Sequence, residues 1–199
     1  MCIHFHAELW KMMLTTRSAS HPNQWINYTY PGGDGVFMAR PRFVDDPLST
    51  EIDRLARSCD HRVLALRAAE CAERVLPLFE KEFPKDERPR VAILKLREWE
   101  RTGVFRMSEV RRASLNAHAA ARRAKEGSSA QFAARACGQA MATAHVKTHS
   151  IAAAWYATKA VWATDPHDQI LIATERDWQY RSLLHLSRTV REMTDPCDR

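Results

Sequence analysis

His145 and His149 lie four positions apart in residues 142 to 157, ATAHVKTHSIAAAWYA. On a helix, this spacing places two imidazoles on one face, where both could bind the same metal ion. The intervening residues do not form the HExxH motif of zinc proteases. We therefore expect the two histidines to be partly buried polar members of an alanine-lined helix interface, with no metal or other cofactor.

The alternative is a metal site completed by ligands from other segments of the chain. Zinc normally takes three or four protein ligands, so His145 and His149 are not sufficient alone. His118 could supply a third imidazole, and Glu70 or Glu73 a carboxylate, if folding brings them together. A metal-dependent enzyme that uses the paired histidines is therefore the third of the functions considered below.

The rest of the sequence offers no recognised catalytic motif. It contains no GxSxG and no Gly-rich phosphate loop, and YPGGDG at residues 30 to 35 is typical of a turn. ERDWQYR at residues 175 to 181 could form a binding patch. An amphipathic helix that packs Trp178 and Tyr180 inward is the preferred interpretation. We assign no catalytic residue and expect a protein that is not an enzyme.

The chain divides into two regions of different composition, and the elements of these regions would position any binding or metal site. Residues 1 to 47 hold four of the nine prolines and three of the six glycines, and they lack helical or strand periodicity. We predict an irregular N-terminal arm there. Its aromatic residues could pack against the body of the protein; they are Trp10, Trp25, Tyr28, Tyr30 and Phe37.

Residues 48 to 199 are predicted to form one all-helical domain. Residues 113 to 163 include 19 alanines in 51 positions, which favours helix over strand. Ser49 is a candidate helix cap, Pro77 should kink or interrupt its helix, and Gly103 should end another. The fold predicted from these signals is an all-α bundle of about five or six helices with short connections.

The basic residues are concentrated in one part of the chain. The protein carries a net charge of +6, and residues 101 to 147 hold nine Lys and Arg against only Glu109 and Glu126. A narrow stripe of small residues runs through the same part; it comprises Val110, Ala113, Ala117, Ala120, Ala121 and Ala124. The flanking arginines indicate either a solvated face or a nucleic-acid-binding surface, although no recognition motif accompanies them.

The cysteines and the hydropathy pattern set the expected compartment. Five scattered cysteines without a CxxC pair indicate neither a disulfide framework nor a zinc ribbon, and we expect Cys71 and Cys137 to be buried. The sequence contains neither an apolar run long enough to span a membrane nor a secretory signal at its start. We expect a cytoplasmic protein.

Several longer segments resemble a known family. The most specific are VLPLF at residues 75 to 79, DERPR at 86 to 90, AHVKTH at 144 to 149 and ERDWQY at 175 to 180. From about Asp60 to Leu183 the chain is similar to the immunity proteins of bacterial polymorphic toxin systems, specifically the immunity protein five-like group. The resemblance implies an all-helical protein that binds and neutralises a cognate toxin domain.

The functional hypothesis is therefore a non-catalytic immunity protein that binds its toxin stoichiometrically. A helical nucleic-acid-binding protein is the second hypothesis. The basic composition indicates a toxin that is acidic, or one bound through a local acidic face between Glu70 and Glu87. The sequence does not identify the partner-binding residues or the oligomeric state.

Overall fold

A computed structural model describes residue 43 and residues 47 to 194, with side chains up to residue 190. This part of the chain contains helices and no strands, which confirms the all-α prediction. Seven helices are present there, instead of the five or six expected. They are α1 (Pro47–Ser58), α2 (His61–Glu82), α3 (Arg88–Thr102), α4 (Met107–Ala121), α5 (Ser129–Ala142), α6 (His149–Trp162) and α7 (Gln169–Thr194).

Short polar and glycine signals set several helix boundaries. The Asp60 side chain accepts a hydrogen bond from the Val63 amide at 2.9 Å and begins α2 as a separate helix. Pro89 lies in the first turn of α3, and Gly103 ends that helix in the left-handed region with φ of 68°. The prediction that Ser49 caps the first helix is wrong, because α1 already begins at Pro47.

Pro77 does not interrupt α2, which runs unbroken from His61 to Glu82. Of the two effects predicted for Pro77, a kink or an interruption, the interruption is therefore wrong. Pro77 is exposed, whereas Val75, Leu76 and Phe79 around it are buried. Burial of these side chains stabilises the last turns of the helix and compensates for the hydrogen bond that proline cannot donate.

Helix α5 is the central element of the bundle, and it packs against α2, α3, α4 and α6. Its buried side chains are mostly alanines, which allow the surrounding helices to approach closely. The small-residue stripe predicted on α4 is buried at every position, as expected. Ser114 on α4 donates a hydrogen bond to the Gly138 carbonyl on α5 at 2.9 Å, which fixes the register of the two helices.

Polar side chains, rather than aromatic ones, are buried where α7 meets α2 and α6. Glu175 accepts a hydrogen bond from Arg74 Nε at 2.6 Å, and Gln179 donates to Thr158 Oγ1 at 3.1 Å. Burial raises the pKa of Glu175, and the Arg74 guanidinium opposes that shift. The predicted inward packing of Trp178 and Tyr180 is only partly correct, because both are half-buried.

The proposed N-terminal arm falls mainly outside the described residues, as do its aromatic residues from Trp10 to Phe37. Phe43 is described, and its ring packs edge-on against Trp155 and Trp162 on α6, at centroid distances of 5.8 and 6.0 Å. Cys71 and Cys137 are buried free thiols, as predicted. Between residues 47 and 194, none of the helices is both long enough and apolar enough to cross a bilayer.

Candidate partner-binding surface

The structure places His145 and His149 on different elements. Helix α5 ends at Ala142, His145 lies in the connecting turn, and His149 is the first residue of α6. The prediction that both histidines share one helical face is therefore wrong. The two rings are nevertheless close, with centroids 5.2 Å apart, and His149 Nδ1 donates a hydrogen bond to Gln139 Oε1 at 2.7 Å.

His118 lies on α4 with its ring against the backbone of α5. Its Nδ1 is buried and has no hydrogen-bond partner within the described part of the chain. Burial, reinforced by the positive charges of Arg135 and Arg122, lowers the pKa of His118 to about 4. The imidazole is therefore neutral at physiological pH.

The carboxylates considered as further metal ligands have other partners. Glu70 accepts a hydrogen bond from Ser182 on α7, and Glu73 pairs with Arg97 on α3 at 2.6 Å. Across the described residues, no group of three or more His, Cys, Asp or Glu side chains is arranged to hold a metal ion. The described geometry around His145 and His149 is thus a pair of imidazoles and not a complete ligand set.

Most of the exposed large apolar side chains in the described residues lie on the hairpin formed by α3 and α4. Nine large apolar side chains are exposed in the described residues, and six of them belong to this hairpin and its connecting loop. They are Val91, Leu94, Val104, Phe105, Met107 and Leu115. Leu94 and Leu115 are 59% and 57% exposed, so neither contributes appreciably to the core.

Both helices of the hairpin already bury a separate apolar face. Ala92, Ile93 and Leu96 of α3 are buried, and Val110 and Ala113 are among the buried residues of α4. The exposed apolar residues are therefore additional to those that the fold needs. A cluster of exposed apolar side chains on a folded domain typically marks a binding surface.

Four exposed arginines accompany these apolar residues; they are Arg101, Arg106, Arg111 and Arg112. Arg106 lies 3.6 Å from Glu109, whereas the other three make no ion pair within the described part of the chain. We name these four arginines and the six exposed apolar residues the α3–α4 surface. Its composition, apolar and aromatic side chains with arginine, is the composition enriched in the contact regions of protein interfaces.

Lys95 already pairs with acidic residues of the hairpin. Its Nζ lies 2.9 Å from Glu98 and 3.7 Å from Glu109. The hydrogen bond between them raises the pKa of Lys95 and lowers that of Glu98, so both groups are charged over a wide pH range. The charge of Arg101 also helps to lower the pKa of Glu98, but Arg101, Arg111 and Arg112 make no ion pair within the described residues.

Four of the six carboxylates in the acidic run between Glu70 and Glu87 bond to other side chains, whereas Glu82 and Glu87 are exposed and make no ion pair in the described residues. Glu73 on α2 pairs with Arg97 on α3. Glu80, near the end of α2, pairs with Arg90 in the first turn of α3. Asp86, between these two helices, pairs with Arg88 and also with Arg123 in the loop after α4. The Arg88 guanidinium holds the pKa of Asp86 below its usual value. These carboxylates mainly connect helices, which leaves the α3–α4 surface as the candidate interface.

Sequence reasoning missed the α3–α4 surface, although a signal was present. Val91 and Leu94 fall outside the buried stripe of α3, which contains Ala92 and Leu96. Apolar residues on both sides of a helix indicate two contact faces. The VF pair at residues 104 and 105, directly before Arg106, adds apolar side chains to a loop that would otherwise be polar.

Comparison with known proteins identifies a family. The sequence pattern of the family described as Imm-5 like putative immunity protein matches residues 54 to 186, which include the whole of α2 to α6. No curated protein and no solved structure matches the chain. The family match covers more than half of the 199 residues. On this evidence, the chain belongs to the Imm-5 like putative immunity protein family.

Proposed function

We propose that this protein neutralises a cognate bacterial toxin domain by binding it stoichiometrically, without catalysis. Membership of an immunity protein family supports the general role. The observation that supports the proposal most strongly is the α3–α4 surface, because six exposed apolar side chains and four exposed arginines belong to this one hairpin. Such a surface is suited to a protein partner, and binding alone is sufficient to block a toxin.

The proposed place of action is the cytoplasm. Cys71 and Cys137 are fully buried thiols, and burial raises the pKa of Cys71 to about 12. Such thiols are unreactive and contribute as small apolar side chains. They are compatible with a reducing compartment, where a producing cell would need to neutralise its own toxin.

A nucleic-acid-binding role is the second candidate, and Arg101, Arg111 and Arg112 favour it. Unpaired exposed arginines supply affinity for phosphates whatever the base sequence. However, interfaces with DNA are more polar than those with proteins, and the exposed Phe105 and Leu115 do not fit that composition. We therefore expect only weak binding to duplex DNA, which decreases steeply as the salt concentration rises.

A metal-dependent enzyme based on His145 and His149 has less support. The two imidazoles are close, but His149 is already bonded to Gln139, and Glu70 and Glu73 have partners on other helices. A catalytic metal site would need further ligands and an activated water. The described contacts give no reason to prefer this function over binding.

Co-expression with a candidate toxin tests the proposed function. The candidate to test is the C-terminal domain of any large secreted protein that is found to be encoded beside this gene. We expect that domain to stop growth when produced alone in the cytoplasm, and the full chain to restore growth in proportion to its own expression level. Toxicity that persists at a molar excess of the folded chain would contradict the proposal.

A further inference from the structure

We infer that the α3–α4 surface is the site at which the toxin docks, and that the toxin contributes an apolar patch rimmed by Asp and Glu side chains. This inference rests on the proposed function and adds the partner's surface chemistry. Three properties of the hairpin support it. Its large apolar side chains are exposed, three of its exposed arginines lack ion pairs within the described residues, and both groups are distinct from the side chains that form the core.

The apolar side chains define the centre of the contact. Phe105 and Met107 lie at the tip of the hairpin, where α3 ends at Gly103 and α4 begins at Met107. Leu94 and Leu115 extend the apolar area along the two helices. Aromatic and aliphatic side chains that enter a partner's pockets supply most of the binding free energy in typical interfaces.

The arginines define the charge that the partner must carry. Arg101, Arg111 and Arg112 are exposed and have no ion pair within the described residues, while nearby Glu98 and Glu109 already interact with Lys95. Opposite charge on the partner would accelerate association and would satisfy the guanidinium donors in the complex. An acidic rim therefore complements this surface.

The same features disfavour two other partners for this surface, a second copy of this protein and a nucleic acid. In a symmetric dimer built through this surface, the arginines of one copy would approach those of the other, with like charges opposed. In a complex with nucleic acid, Leu94, Phe105 and Leu115 would meet a polar backbone. A protein with an acidic rim around an apolar patch satisfies both sets of side chains.

Two sets of variants in the full-length chain test the inference. The charge variant is Arg101→Glu/Arg111→Glu/Arg112→Glu, and the apolar variant is Phe105→Ala/Leu115→Ser. All five side chains are exposed, so the helical circular dichroism and the melting temperature should stay close to those of the wild type. The control variant, Arg57→Glu/Lys81→Glu/Arg188→Glu, changes the net charge equally at exposed positions outside the hairpin.

Binding kinetics against the neighbouring toxin domain separate the two contributions. We expect the charge variant to lower the association rate constant about 100-fold at low salt and to weaken its salt dependence. The apolar variant should raise the dissociation rate constant about 30-fold or more. The control variant should bind like the wild type and restore growth.

Each remaining outcome contradicts a specific claim. Failure of the wild type to bind or to rescue overturns the proposed function and the docking site together. If the wild type binds the toxin and both hairpin variants bind it equally well, the proposed docking site is wrong but the proposed function stands. If only the charge variant keeps wild-type binding, the proposed acidic rim on the toxin is wrong. A wild-type dimer that the apolar variant dissociates, or duplex DNA held at physiological salt through these arginines, would assign the surface to another partner.

Discussion

The His118 imidazole lies directly against the backbone of Gly138, where α4 crosses α5. A Cβ atom added at Gly138 would lie 2.7 Å from His118 Cε1 and 2.8 Å from Nε2. Carbon atoms of real side chains do not approach so closely. The absence of a side chain at residue 138 therefore permits this contact, and the Ser114 hydrogen bond to the Gly138 carbonyl supports it.

Gly138→Ala should destabilise the protein by about 1 to 3 kcal/mol, because the new methyl group must displace a partly buried ring. The free energy of unfolding in urea measures the effect. Adding His118→Ala to Gly138→Ala should remove the clash, so the double variant should lose less stability than the sum of the two single variants. Strict additivity would show that the two side chains do not interact.

The stability should fall as the pH decreases from about 6.5 to 4, in part because of His118. Its pKa is about 4 in the folded state and near 6.5 when unfolded, so only the unfolded state binds the proton in this range. Allowing for partial exposure, we expect a loss of about 1 to 2 kcal/mol. His118→Gln should reduce this difference between pH 7 and pH 5, and an unchanged pH profile would contradict the assignment.

Removing the charge of each of two arginines on α2 in turn should have different effects on the stability of the protein. Arg67 is 1% exposed, and its Nε and Nη1 have no hydrogen-bond partner among the described residues. Arg74 instead donates a hydrogen bond to the buried Glu175.

Arg67→Met should therefore be neutral or stabilise by about 1 kcal/mol, whereas Arg74→Met should cost about 3 kcal/mol by leaving a buried carboxylate unpaired. Chemical denaturation of both variants measures the difference. An Arg67 variant as unstable as the Arg74 variant would indicate that the Arg67 guanidinium has a favourable partner in the folded protein.

His145→Ala/His149→Ala should lower stability by about 1 kcal/mol, mainly because the hydrogen bond from His149 to Gln139 is lost. Toxin neutralisation should be unaffected, since neither residue belongs to the α3–α4 surface. Elemental analysis of the purified wild type provides the second readout. Stoichiometric zinc or iron that disappears in the double variant would support the metal hypothesis instead.

The helical class and the buried stripe of α4 were predictable from sequence, because periodic small residues such as Ala113 and Ala117 leave only one face able to pack. The break between α5 and α6 was not. The alanine-rich sequence is compatible with one long helix or with two broken ones, and it does not locate the break, where the Thr143 carbonyl accepts a hydrogen bond from His61 on α2. A contact between residues 82 positions apart thus replaces a local helical bond, and no local pattern records it.

The candidate surface was only partly predictable from the sequence, for a different physical reason. Periodicity shows that Leu94 and Leu115 are apolar, but it does not show which apolar positions the neighbouring helices cover. Likewise, the acidic run that includes Glu73 and Glu80 is indistinguishable from a free acidic face until Arg97 and Arg90 are placed beside it. Exposure and ion pairing are properties of the assembled bundle.

Native mass spectrometry of the neighbouring toxin domain titrated with this protein tests stoichiometric neutralisation most directly. The account predicts that the free toxin disappears at one equivalent, that a single one-to-one complex replaces it, and that the mass of the toxin polypeptide is unchanged. Loss of toxin activity at a small fraction of an equivalent, with a changed toxin mass or a cleaved toxin, would show that the protein acts as an enzyme and would contradict the account.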